Sequence, residues 1–346
     1  MHKNTVIRAR APLRLGLAGG GTDVSPYCDK FGGLVINATI DRYAYATIEL
    51  GEGSSIIFEA SDRKVTETHS LPQENLIEGK LNLHAAVYRH MVDHFNNGRR
   101  ISLRLTTFCD APVGSGLGAS STIVVAMIKA FDELFGAALD DYQIAQIAFK
   151  IERIDCQLQG GRQDQYAAAF GGFNFIEFYD NDRTTVNPLR IKNWVICELE
   201  ASLVLFFSGV SRESAKIIAD QSKTVNKDSS EALSAMHALK SEATSMKECI
   251  LRADFGGIVE SMKLGWENKK KTASSVSNPF IDSIYSAAMD AGALAGKISG
   301  AGGGGFFLFF VPAERRMSVM SALATFHGQA SNCHFTKNGA QSWRVI

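Results

Sequence analysis

The stretch APVGSGLGASSTIVVAMIKAFDELFG, residues 111–136, sets Gly114, Gly116 and Gly118 directly ahead of a serine pair and then runs into an apolar segment of helical period. A helix entered through bare backbone leaves its first N–H groups uncovered and the positive end of its dipole open, a combination that suits an anion. The P-loop pattern GxxxxGK[ST] is absent: the nearest lysine-bearing match, GALAGKIS, has the wrong spacing and Ile298 after the lysine. Residues Gly114 to Ala119 formally fit the dinucleotide fingerprint GxGxxA, with Asp132 near the distance of a ribose-binding acid. That acid belongs at the end of a second strand, whereas Asp132 falls inside the helix that the glycines begin. What remains is phosphate binding by exposed N–H groups, to which Ser120 and Ser121 add hydroxyls. The plainer alternative is a serine N-cap over a tight turn.

A chain of 346 residues is longer than one core usually serves, so two domains are expected. Its 36 basic and 36 acidic residues cancel, and no Lys/Arg-dense arm marks a surface for nucleic acid or anionic lipid, which leaves a small molecule as the partner. The N-terminus MHKNTVIRARAP has no apolar h-region, and the apolar run FFLFFV at 306–311 is too short to span a bilayer. No membrane role and a cytoplasmic location are expected. Six cysteines, at 28, 109, 156, 197, 249 and 333, form no CxxC pair and no zinc spacing, and read as reduced, mostly buried thiols.

Strand-like runs YAYATIEL, SSIIFEA and ISLRLTT alternate with helix-period segments near 80–96, 119–135 and 140–154. The polar stretch YDNDRTTVNPLRIKN, residues 179–193, reads as a connection. After it come the buried strand SLVLFFSG, a helical region over about 213–292 and the closing strand GGFFLFFV. The expected fold class is α/β (α+β) in two domains: residues 1–185 with a mixed sheet, and 186–346, helix-rich.

Two more glycine tracts flank the first, LGLAGGGTD at 15–23 and KISGAGGGGFF at 297–307. Together, and in this order, the three resemble the signature motifs of the GHMP kinases, small-molecule kinases named for galactose, homoserine, mevalonate and phosphomevalonate. AGGGTD, QDQYAAAFGG and KISGAGGGG are most similar to the branch acting on D-glycero-D-manno-heptose 7-phosphate, and AGGGTDVSPY stands where galactokinases carry a GEHTDY-like run. The resemblance implies ATP and Mg²⁺ as cofactors and a sugar phosphate as acceptor, phosphorylated at its anomeric hydroxyl to a 1,7-bisphosphate on a route to nucleotide-activated heptose and surface polysaccharide. A fucose- or galactose-type kinase, a non-catalytic nucleotide sensor and a homodimer all stay open.

Within GGRQDQYAAAFGG, residues 160–172, one acid sits between two glycine pairs. A kinase acting on a hydroxyl profits from a carboxylate that accepts its proton, and Asp164 is the candidate; by local sequence alone it could equally form a turn. The resemblance strengthens that role and adds others. It makes Arg14, in APLR, the basic partner of this carboxylate, ahead of Arg8 and Arg10 on the same strand-like run. It gives the nucleotide to Gly114, Ser115, Gly116, Leu117, Gly118, Ala119, Ser120 and Ser121, and magnesium to Ser120 and Glu152. Glu152, in KIERID, also reads as a solvated helix acid. The acceptor falls to Gly19, Gly20, Gly21, Thr22 and Asp23, the last accepting from sugar hydroxyls, with Gly302 and Gly303 close to phosphate or sugar. The cluster Lys269, Lys270, Lys271 offers cations to the acceptor's own phosphate, with Lys270 taken as the contact; a solvated helix end explains it equally well.

Overall fold

The computed structural model describes residues 5–71, 79–210, 217–221 and 230–345. Its larger sheet runs β12 (Gln341–Val345), β1 (Val6–Ala18), β2 (Gly33–Leu50), β5 (Leu103–Cys109), β3 (Ser55–Ala60), β4 (Val65–Ser70). Strand β6 (Phe173–Phe178) pairs with the first part of β2 and carries β7 (Thr184–Pro188) on its other edge. Pairing is antiparallel except for β3 with β5, so the sheet is mixed. The smaller sheet is antiparallel, in the order β11 (Gln329–Asn332), β8 (Leu203–Phe207), β10 (Phe306–Phe310), β9 (Ala295–Ile298). Helices follow in chain order: α1 (Tyr27–Phe31), α2 (Asn82–Phe95), α3 (Ala119–Phe135), α4 (Asp141–Phe149), α5 (Gln163–Phe170), α6 (Asn193–Ser202), α7 (Ser230–Arg252), α8 (Phe255–Thr272), α9 (Pro279–Asp290) and α10 (Arg316–Leu323).

The apolar run FFLFF has a structural reason. Phe306, Leu308 and Phe310 enter the core shared with the large sheet, while Phe307 and Phe309 enter a second core with Trp266, Ile281 and Ile284. Strand β8 divides in the same way, Leu203 and Leu205 to one side and Val204 and Phe206 to the other. A strand buried on both faces has no solvent side to carry polar residues, so alternation disappears.

Helix α3 is apolar nearly all round and is buried along most of its length, packed across β1 and β2. It ends at Gly136, in the left-handed region, whose N–H returns to the Asp132 carbonyl. Asp132 itself accepts from Lys129 Nζ at 2.9 Å and the Leu139 N–H at 3.0 Å, a structural role within the helix's last turns.

Two features go beyond the sequence pattern. The expected division at 185/186 falls inside β7, which pairs with β6 of the large sheet. At the far end of the chain, β12 pairs with β1, Val345 opposite Val6 through Gln341 opposite Arg10, so the last residues complete the first sheet. The six cysteines are free; Cys28, Cys109 and Cys333 are buried, whereas Cys197 is exposed. No helix among the described residues is long and apolar enough to cross a membrane.

Candidate active site

The three glycine segments meet around one cavity of about 580 Å³. On one side lies the entry to α3. Gly118, at φ +78°, is its N-cap and offers no side chain, so neither serine caps the helix; both sit in its first turn. The first helical bond runs from the Thr122 N–H to the Gly118 carbonyl at 3.0 Å, leaving the preceding N–H groups at the cavity edge. Gly114, Gly116, Gly118, Ala119, Ser120 and Ser121 line the cavity. Ser115 and Leu117, expected with them, are fully buried beneath the loop instead. Their carbonyls accept from the Phe306 N–H at 2.9 Å and the Arg14 N–H at 3.1 Å, tying the loop to β10 and β1.

Asp164 stands in the first turn of α5 and faces this entry. Arg14, 4% exposed, delivers Nε at 2.7 Å and Nη2 at 2.5 Å to Asp164 Oδ1, while Nη1 donates to the Gly116 carbonyl at 2.6 Å and reaches Ser299 Oγ at 3.3 Å. One guanidinium thus joins all three glycine segments to the carboxylate. Arg8 is exposed and Arg10 binds Gln341 Oε1, which leaves Arg14 as the arginine of that run at the cavity. A Cβ on Gly118 would lie 3.1 Å from Asp164 Cγ, so the missing side chain there is what lets the carboxylate approach the helix entry.

Glu152 also reaches the cavity. The chain widens from α4 into a π-helical segment at Lys150–Asp155, where the Cys156 N–H returns five residues to Ile151, and the wider turn brings Glu152 to the cavity. It is fully buried. Gln165 Nε2 donates to Oε2 at 2.6 Å and Ser120 Oγ lies 3.5 Å from Oε1. Burial pushes the carboxyl above its ordinary range, opposed by Arg153 3.8 Å away and by hydrogen bonds from Ser121 and Gln165. A carboxylate oxygen and a hydroxyl beside an open helix N-terminus suit magnesium, a hard cation that keeps most of its shell as water and phosphate oxygen. Among the described residues, no group of three or more His, Cys, Asp or Glu could hold a metal by itself.

The first glycine segment holds two surprises. Asp23, expected to accept from sugar hydroxyls, is 1% exposed and already accepts four bonds. Oδ1 takes the Gly21 N–H and Gln163 Nε2, both at 3.0 Å, and Oδ2 takes the N–H groups of Arg162 and Gln163, both at 3.1 Å. With its lone pairs occupied, this carboxylate caps α5 from a distance. Thr22 is equally committed, its hydroxyl donating toward the Gly19 and Leu34 carbonyls at 2.8 Å and accepting from the Leu34 N–H. Of the three glycines expected at the acceptor, Gly21 lines the cavity, whereas Gly19 packs against the Leu34 carbonyl and Ala243 and Gly20 faces Gln163.

Lys270 does not reach the cavity. It pairs with Glu267 at 2.9 Å on the outer face of α8, and the helical rotation between neighbours turns Lys269 inward in its place. In the third segment Gly300 and Ala301 line the cavity, while Gly302 and Gly303 pack on Val276, the Gly303 N–H bonding its carbonyl at 2.8 Å. Sequence reasoning missed Arg153, Gln163, Gln165 and Ser299. Gln163 and Gln165 flank Asp164 in the chain and Ser299 opens the third glycine tract, so nearness to the motifs was their only signal.

Comparison with known proteins agrees with this geometry. Residues 82–172 match the GHMP kinases N terminal domain and residues 246–327 the GHMP kinases C terminal domain. The chain is 45% identical over 339 residues to the D-glycero-alpha-D-manno-heptose 7-phosphate kinase of Campylobacter jejuni, covering 98% of this chain and 99% of that protein. The crystal structure of a D-glycero-D-manno-heptose 1-phosphate kinase from Bacteroides thetaiotaomicron superposes with a TM-score of 0.83 at 40% identity, covering 98% and 99% of the two chains. Lactococcus lactis galactokinase complexed with galactose shares the fold, with a TM-score of 0.75 at 16% identity over 97% of this chain and 95% of its own. With its three glycine segments gathered on one carboxylate and its likeness running end to end, the chain belongs to the GHMP kinase family and is a phosphotransferase.

Proposed function

We propose that the protein transfers the γ-phosphoryl group of ATP to the anomeric C1 hydroxyl of D-glycero-D-manno-heptose 7-phosphate, giving the 1,7-bisphosphate and ADP. The observation that carries this reading is the Asp164 carboxylate, held through Oδ1 by Arg14 and set against the entry of α3. Oδ2 is left to accept the hydroxyl proton as the sugar oxygen bonds to phosphorus and the bond to the ADP oxygen breaks. An anomeric hydroxyl is more acidic than other sugar hydroxyls, which suits a carboxylate base. The N–H groups and serine hydroxyls at the start of α3 bind the nucleotide phosphates, and Arg14 fixes the base in place. Ser120 and Glu152 would hold Mg²⁺, which when bound neutralises charge on the β- and γ-phosphates.

The names carried by the Campylobacter and Bacteroides relatives support a heptose phosphate acceptor and differ in the position of the phosphate. We infer that the product serves nucleotide-activated heptose and surface polysaccharide synthesis in the cytoplasm. The test is Mg-ATP phosphotransfer followed by phosphorus NMR over a panel of heptose 7-phosphate, free heptose, fucose and galactose. The expected result is a new anomeric phosphate on the 7-phosphate sugar, made at least about 100-fold more efficiently than any free-sugar product. Equal or better kcat/KM on fucose or galactose would replace this reading by a free-sugar kinase.

A further inference from the structure

Among the described residues three cations stand on the cavity wall, and they differ in how far they are committed. Arg14 is spent on Asp164, the Gly116 carbonyl and Ser299. Arg153 donates Nε to the Gly161 carbonyl at 3.3 Å and stands 3.8 Å from Glu152. Lys269, on α8 and 6% exposed, donates to a single neutral acceptor, the Gly20 carbonyl at 2.8 Å. Among the described residues it has no carboxylate within ion-pair distance.

An ammonium carries three donors, and burying one on a lone carbonyl is costly unless a counter-charge arrives. Lys297 makes an instructive contrast. It is similarly buried and donates to the Leu17 carbonyl at 2.7 Å, but it is off the cavity wall and Glu242 is its main compensating charge. Glu242 in turn feels Lys297 more strongly than Lys269. Asp23 and Glu242 favour the Lys269 charge as well, but Asp23 is already committed to the N–H groups of α5 and neither carboxylate forms an ion pair with it, and Lys269 is the one of the two lysines on the cavity wall.

Its position separates it from the nucleotide side. Lys269 Nζ lies against Gly20 and Gly21, next to Asp23, whereas the phosphate-binding N–H groups are at the start of α3. Asp164 stands between, touching Gly118 on one hand and following Gln163, which bonds Asp23, on the other. A sugar with its reacting hydroxyl at Asp164 would extend its far end toward Lys269.

We propose that Lys269 binds the phosphate monoester already carried by the acceptor sugar, and so selects a phosphorylated over a free sugar. This rests on the sugar-phosphate reading above and names the residue that enforces it. Binding energy at the remote anion orients the reacting hydroxyl, so its loss reaches kcat as well as KM.

The experiment measures kcat/KM for D-glycero-D-manno-heptose 7-phosphate and for the free heptose, in the wild-type enzyme, Lys269→Met and Lys269→Arg. The expected result is that the ratio of the two falls by about 30-fold or more in Lys269→Met, the scale of a lost charge-assisted contact, and is largely kept in Lys269→Arg. If Lys269 only props the Gly20 loop, both substrates suffer in proportion and the ratio stays, which overturns the proposal. Should the variants not fold, inorganic phosphate is used as an inhibitor of the wild-type enzyme. Competition against the phosphorylated sugar that weakens as pH is raised through the lysine's titration supports the site, and pH-independent inhibition overturns it. A wild-type ratio at or below one would instead reject the sugar-phosphate reading itself.

Discussion

Arg14 places two of its nitrogens, Nε and Nη2, on one and the same oxygen of Asp164, Oδ1, leaving Oδ2 outside the ion pair. The arrangement divides the carboxylate into an anchored oxygen and one left for the proposed proton transfer. Asp164→Asn keeps an oxygen for Arg14 to hold but removes the proton acceptor. Turnover should fall by about 100-fold or more while ATP affinity and Tm stay near wild type. Near-normal turnover in a folded variant would take Asp164 out of the catalytic role.

The magnesium assignment predicts a shift in a metal titration. Ser120→Ala and Glu152→Gln should each raise the magnesium concentration for half-maximal rate by several-fold. Glutamine can still accept from Gln165, so Tm should move little in Glu152→Gln. Titration curves that overlay the parent would show that neither side chain reaches the ion.

Asp23 acts through α5. Its carboxylate accepts from Gly21, Gln163 and Arg162, and Asp23→Asn would turn an NH₂ group toward donors. The variant should lose about 2–3 kcal/mol of stability, the cost of leaving buried donors unmatched. Its kcat should drop further than its KM rises, because the helix that carries Asp164 loses its cap. A rise in KM alone, with stability intact, would return Asp23 to direct sugar binding.

A pH effect follows from Lys269, whose pKa is held down from its ordinary value to about 8, mainly by burial. Lys297 and Arg14 push in the same direction, while Asp23 and Glu242 oppose. Below about 8 the free enzyme carries the ammonium; above it the charge is lost. The preference for the phosphorylated over the free sugar, in kcat/KM, should therefore decline as pH rises through that value, by up to about tenfold one unit above it. Lys269→Arg, charged throughout, should flatten the decline. A ratio independent of pH from 7 to 9.5 in the wild-type enzyme would rule out a titrating lysine at the phosphate.

The chain's local patterns were enough for the family and for singling out the glycine loop at 114–118 and Asp164 as candidates, because glycine spacing at a helix entry and an acid between glycine pairs are properties of short segments. Arg14 was singled out through the resemblance of APLR to the first GHMP motif, and the fold sets its guanidinium on Asp164. Which neighbouring side chain faces inward was not legible in the sequence. Lys269 and Lys270 have the same local sequence around them, and only the seating of α8 against the Gly19–Asp23 loop turns the first to the cavity and the second to Glu267. Asp23 looked like a ligand for hydroxyls until α5, 139 residues further on, brought its N–H groups to that carboxylate. Glu152 depended on a widened helical turn, and Ser115 and Leu117 on the strands above them. The return of β12 to β1 rests on pairing between the two ends of the chain. Each of these is decided by which surfaces meet across long sequence separations, where the free energy lies in burial and hydrogen-bond matching between segments that carry no local mark of one another.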